Sequence, residues 1–109
     1  MIRLQYSIAR QFSPHPGPRF RHQGPDSGEA LRKRLVKLLH ENPETSLFID
    51  LDGTSGFGSS FLDEAFGGLV RYEGFSKEIL KSFEFKSEID PSYVTEIRES
   101  IERAEPIRH

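Results

Sequence analysis

The chain has 109 residues, of which 35% are hydrophobic, with nine Phe, no Trp and a formal net charge of −2. That is enough apolar material for one modest core, so the expectation is a single domain over 1–109. The lack of cysteine excludes disulfides, thiol catalysis and cysteine metal sites. No signal peptide is apparent and no apolar run approaches the roughly 20 residues that cross a bilayer, so the expected class is a soluble cytoplasmic protein.

Charge is unevenly spread, with eight Lys/Arg against two Asp/Glu in residues 1–40 and seven against fifteen in 41–109. A basic half can serve nucleic acid. Here Arg32, Lys33, Arg34 and Lys37 fall on one predicted helix and read as its solvated face, so nucleic acid is not the expected partner.

Residues 2–8 alternate, with Ile2, Leu4, Tyr6 and Ile8 on one side, as in a strand with one buried face. Residues 10–25 hold Pro14, Pro16, Pro18 and Pro25 and read as a loop with Arg19, Phe20, Arg21 and His22 embedded. A short edge pairing at 19–22 stays open.

Asp26 or Ser27 caps the next helix, with Glu29 placed as in a capping box. Leu31, Leu35, Leu38 and Leu39 form its stripe, and Asn42-Pro43 ends it. Leu47–Leu51 is an uninterrupted apolar run and predicts a central strand covered on both faces.

A glycine-rich turn then leads to a helix from Ser59 or Ser60 to about Tyr72, turning Phe61, Leu62, Ala65, Phe66 and Leu69 inward. Gly67 and Gly68 sit inside it, and each costs about 1 kcal/mol relative to Ala unless something approaches closely. Ile79–Phe85 predicts a third strand, and Asp90-Pro91 opens a last helix with Tyr93, Val94, Ile97, Ile101 and Ala104 inward. Residues 106–109 are a tail. The order β, loop, α, β, α, β, α predicts an α/β fold with a mostly parallel sheet of three or four strands and helices packed on it.

Phe48-Ile49-Asp50-Leu51-Asp52-Gly53-Thr54 resembles the first motif of the haloacid-dehalogenase phosphatases, in which the first aspartate is a nucleophile and the second an acid–base. The further acidic pair and lysine of that family have no place in the single strand predicted after it, so the reading is a strand-ending turn and not an enzyme. His15, His22, His40 and His109 lack ligand spacing. The glycines at 53, 56 and 58 lack the lysine of a P-loop. No metal or cofactor is expected.

The candidate site is therefore the start of the 59–72 helix. One serine serves as N-cap and the other is free for a phosphate contact or phosphorylation, in a dipole that favours negative charge. Ser60, Glu64, Gly67 and Arg71 line one side of that helix, and Phe61 and Gly68 adjoin them as a docking surface. Arg19, Arg21 and the helix start at Ser27 and Gly28 form a second, anion-seeking cluster. Together with Ser59 and Ser60, that cluster supports an alternative reading as a phosphate- or nucleotide-binding protein.

Arg19-Phe20-Arg21, Gly24 to Glu29, Asp50 to Gly53 and the block Ser59 to Leu69 resemble the bacterial STAS-like family of unknown function, from about Phe12 to beyond Phe85. That family is related to the anti-sigma factor antagonists, the STAS domains. The resemblance implies a STAS-like fold and a binding, non-catalytic signalling role. It also implies a regulatory protein partner of the histidine-kinase-like ATPase type, and phosphorylation at the position of Ser60, with Ser59 preceding it. Gly58 stands where the antagonists usually have aspartate, and Phe61 where they usually have glycine.

Overall fold

The computed structural model describes residues 2–107. Strand β1 (Ile2–Ser7) runs straight into a one-turn helix α1 (Ile8–Gln11), whose N-cap Ser7 accepts the Arg10 N–H. Helix α2 (Gly28–Glu41) is capped by Ser27, which accepts the Ala30 N–H. Glu29 does not complete the expected capping box, because its carboxylate accepts the Arg21 N–H. Residues 12–27 contain no strand, only a short 3₁₀ turn at Arg21–Gln23.

Strand β2 (Thr45–Asp50) follows, then α3 (residues 59–71), which runs as Ser59–Leu62, a π turn over Asp63–Gly67, and Gly68–Arg71. The stretch predicted as a third strand is divided. Ser76 accepts the Ile79 N–H and starts a short helix α4 (Lys77–Lys81), and only Glu84–Lys86 is strand β3. Helix α5 (Ser92–Arg103) closes the fold. No helix among the described residues is long and apolar enough to cross a membrane.

The sheet has the order β1-β2-β3, and both pairings are parallel. Its register pairs Leu4 with Leu47, Tyr6 with Ile49 and Ile49 with Phe85, so these residues share one face. Right-handed crossovers that advance in one direction across a sheet put every crossover helix on the same side. The core lies on that side. Leu31, Leu35, Phe61, Leu62, Phe66 and Ile97 are completely buried there.

The opposite face carries Gln5, Phe48, Asp50 and Glu84 and stays accessible, with Gln5 and Glu84 exposed and Phe48 half-buried. Arg3 reaches along it to an ion pair with Glu84. The expectation that β2 is covered on both faces is corrected accordingly. Its residues are uniformly apolar enough for two covers, but a monotonic strand order supplies only one.

Candidate functional site

The loop 51–58 carries the chain from the carboxyl end of β2 to α3, turning at Gly53 (φ 89°) and Gly56 (φ 114°). The N-cap of α3 is Gly58, with no side-chain cap. This corrects the assignment of a capping serine. Ser59 and Ser60 are the first two helical residues, and both are exposed. Ser59 Oγ donates to Glu96 Oε1 of α5 at 2.6 Å. Ser60 caps nothing and stands free at the tip, its hydroxyl without a partner among the described residues.

The two aspartates of the phosphatase-like motif build this turn. Asp50 Oδ1 accepts the Asp52 N–H at 2.9 Å. Asp52 in turn accepts the N–H of Glu88 at 3.0 Å and that of Ile89 at 3.2 Å. These bonds hold the Asp52 carboxyl below the usual carboxylate range, the Glu88 N–H being the largest cause. A carboxylate occupied in this way ties the β2 exit to the β3–α5 connection.

Beyond its tip, α3 turns inward. Phe61 is completely buried, and Glu64, Gly67 and Gly68 are buried too. The expectation of an exposed polar line through Ser60, Glu64, Gly67 and Arg71, with Phe61 and Gly68 beside it, is therefore corrected. The π turn adds a residue to the helix, and the 64–68 segment packs between α2 and α5. Gly67 lies against the Ser100 carbonyl, where a Cβ would stand 3.3 Å away, and Gly68 lies against Arg32.

Glu64, only 1% exposed, is a charge in the core, and its partners explain it. It pairs with Arg32, itself buried on α2, and with Arg19 from the proline-rich loop at 3.1 Å. Arg19 also binds Asp63, which binds Arg71, while Arg32 and Lys33 both bind Glu73. The guanidinium of Arg32 additionally lies 4.8 Å from the centre of the Tyr72 ring. Charges thus alternate along a chain that fastens the loop, α2 and α3 to one another.

The second predicted cluster is not brought together as an anion site. Arg19 is committed to two carboxylates. The Ser27 oxygen is committed to its helix, and the Gly28 N–H donates to the Pro18 carbonyl. Arg21 is exposed and apart from these pairs. Sequence reasoning missed Arg32 as the partner of Glu64, and Glu73 as the second partner of Arg32. The signal for Arg32 was present, because it lies four residues after Gly28 and three before Leu35, inside the apolar stripe of α2.

One cavity of about 710 Å³ opens on the accessible sheet face at the carboxyl ends of β1 and β2, walled by α1 and by Gly53. A smaller one of about 90 Å³ adjoins it at Asp52 and Gly53, beneath the hydroxyl-rich loop. Both lie where open parallel sheets bring loops and strand ends together.

Fold and site define a small α/β domain with a parallel sheet, one closed face and an exposed serine-bearing helix tip. The chain belongs to the family described as the STAS-like domain of unknown function (DUF4325), whose model matches residues 27–93. Comparison with curated proteins and comparison with solved structures each gave no match.

Proposed function

We propose that the chain is a non-catalytic signalling module that docks a regulatory protein partner, of the histidine-kinase-like ATPase type, at the tip formed by Gly58, Ser59 and Ser60. The observation that carries this reading is the contrast along α3. Ser60 is exposed without a partner, while the helix behind it is locked by buried apolar side chains and ion pairs. A rigid helix with free N–H groups at its start suits a carbonyl- or phosphate-bearing partner. Phe61, Glu64, Gly67 and Gly68 act from within by holding the tip in place, and Asp63 and Arg71 pair on the half-exposed side of the helix behind it.

Ser60 is the modified position in this reading, and Ser59 is the neighbour held by Glu96. The test is purification of the tagged chain from its native host, with mass spectrometry of co-eluting proteins and of both serines. A stoichiometric ATPase partner, released by Ser60→Asp, is the expected result. An unmodified protein that elutes alone, or a partner whose affinity is unchanged by Ser60→Asp, overturns it.

A further inference from the structure

We infer that the larger cavity binds a free α-amino acid with an aromatic side chain, held as a zwitterion between Arg10 and Asp50. This goes beyond the docking reading and stands independently of it.

The first support is unspent hydrogen-bonding capacity. Asp50 uses Oδ1 on the Asp52 N–H, and its second carboxylate oxygen has no partner among the described residues. Arg10 lines the same cavity from α1, is exposed, and makes no ion pair among the described residues. The Gln5 carboxamide is likewise unengaged there. Gln11 spends only its oxygen, on the Ser7 N–H at 2.7 Å, which leaves its NH₂ available. The wall itself is firm, because Ser7 Oγ accepts the Arg10 N–H and the Arg34 guanidinium donates to the Gln11 carbonyl.

The second support is charge. Arg10 is the one cation of the lining, against Asp50 and Asp52. A net negative lining opposes a phosphate-bearing ligand and accepts one that carries an ammonium and a carboxylate together. The carboxylate meets the guanidinium and the ammonium meets Asp50.

The third support is the floor. Phe48 is half-buried on the open sheet face, one same-face position before Asp50 on β2, with Gln5 beside it in register. It offers an aromatic surface that water covers poorly and a ring covers well. The volume of about 710 Å³ lies within the range of small-molecule sites.

The experiment is an NMR titration of the full chain with L-phenylalanine, phenethylamine, hydrocinnamate and adenosine monophosphate. The expected result is saturable shifts at the amides of Ser7, Phe48 and Gly53 with L-phenylalanine. Each truncated analogue should bind at least about tenfold more weakly, the loss of one charge-assisted contact. Asp50→Asn should abolish the advantage of phenylalanine over hydrocinnamate, and Arg10→Gln its advantage over phenethylamine. Asparagine keeps the Oδ1 bond to Asp52, and the melting temperature of each variant verifies its fold. Absence of saturable shifts with L-phenylalanine overturns the inference. Equal binding of the truncated analogues, or tighter binding of adenosine monophosphate, does so as well.

Discussion

Gly28 of α2 meets Phe61 of α3 so closely that a Cβ on the glycine would stand 2.5 Å from the Phe61 carbonyl oxygen. The same Cβ would lie 3.1 Å from Cβ of Glu64. Gly68 repeats the relationship from the other helix, where a Cβ would fall 2.8 Å from Cδ of Arg32. Each glycine is a notch for the opposing helix, and the buried ion pair sits between the two notches.

Filling a notch forces the helices apart. Gly28→Ala should cost about 1–3 kcal/mol, since the obstacle is backbone that cannot step aside. Gly68→Ala should be partly offset by about 1 kcal/mol of gained helix propensity. Urea denaturation measures both. A stabilised Gly28→Ala would show that the α2–α3 contact is not close.

Arg32 and Glu64 should behave as a coupled pair. Glu64→Met or Arg32→Met alone should lose about 3–5 kcal/mol, because each leaves a charge buried without its main partner. The double variant Glu64→Met with Arg32→Met should recover much of that loss, as Arg19 keeps Asp63 and Glu73 keeps Lys33. A double-mutant cycle in urea gives the coupling. Additive losses would mean that the two charges do not interact.

Asp52 gives the fold an acid-sensitive joint. Its carboxyl is held below the usual value of 3.8, chiefly by the Glu88 N–H, then by the Ile89 N–H and nearby Lys86, with partial burial opposing. A lowered carboxyl contributes stability that is complete above 3.8 and is lost as pH falls through its folded-state value. The protection of the Glu88 and Ile89 amides, taken as their exchange rates relative to the intrinsic rates at each pH, should therefore fall as pH drops below 3.8. Asp52→Ala should expose those amides at neutral pH and remove their acid response. Unchanged protection in the variant would show that other contacts hold the connection.

Tyr6 is buried to 3% exposure, and its hydroxyl has no hydrogen-bond partner among the described residues. Burial pushes the phenol above its usual range, and the Arg34 guanidinium nearby opposes that shift. An unpaired buried hydroxyl costs about 1–3 kcal/mol, so Tyr6→Phe should raise stability by about 1 kcal/mol. Loss of stability on that change would mean that the hydroxyl bonds Arg34 in solution. Thermal melts of the two proteins decide between these.

The α/β class, the parallel sheet and the inward residues of α3 were legible because they follow from periodicity and from glycine and proline punctuation. Phe61, Leu62, Ala65, Phe66 and Leu69 are all buried as the spacing requires. The stretch Ile79–Phe85 was misread because a short apolar run has no period of its own. Ser76 decides it by capping a helix, which leaves Ile79 exposed and Leu80 buried. Glu64 was misread because a carboxylate four residues from a serine looks like a solvated edge. Only the pairing of α2 with α3 shows that Arg32 waits opposite. The open sheet face was invisible for a similar reason, since β2 is apolar on both sides and coverage depends on strand order.

The wholly parallel sheet also shapes how the molecule reaches its native state. Ser7 pairs with Asp50 and Asp50 with Lys86, so no strand meets its partner through a hairpin. Each pairing closes a loop of roughly forty residues before any ladder hydrogen bond rewards it. Helix-rich chains of this length fold fast when their contacts are local, whereas here every strand pairing carries the closure cost of a non-local contact. In the native order β1-β2-β3 the outer edge of β1 stays without a strand partner among the described residues, so its backbone groups remain open to other chains.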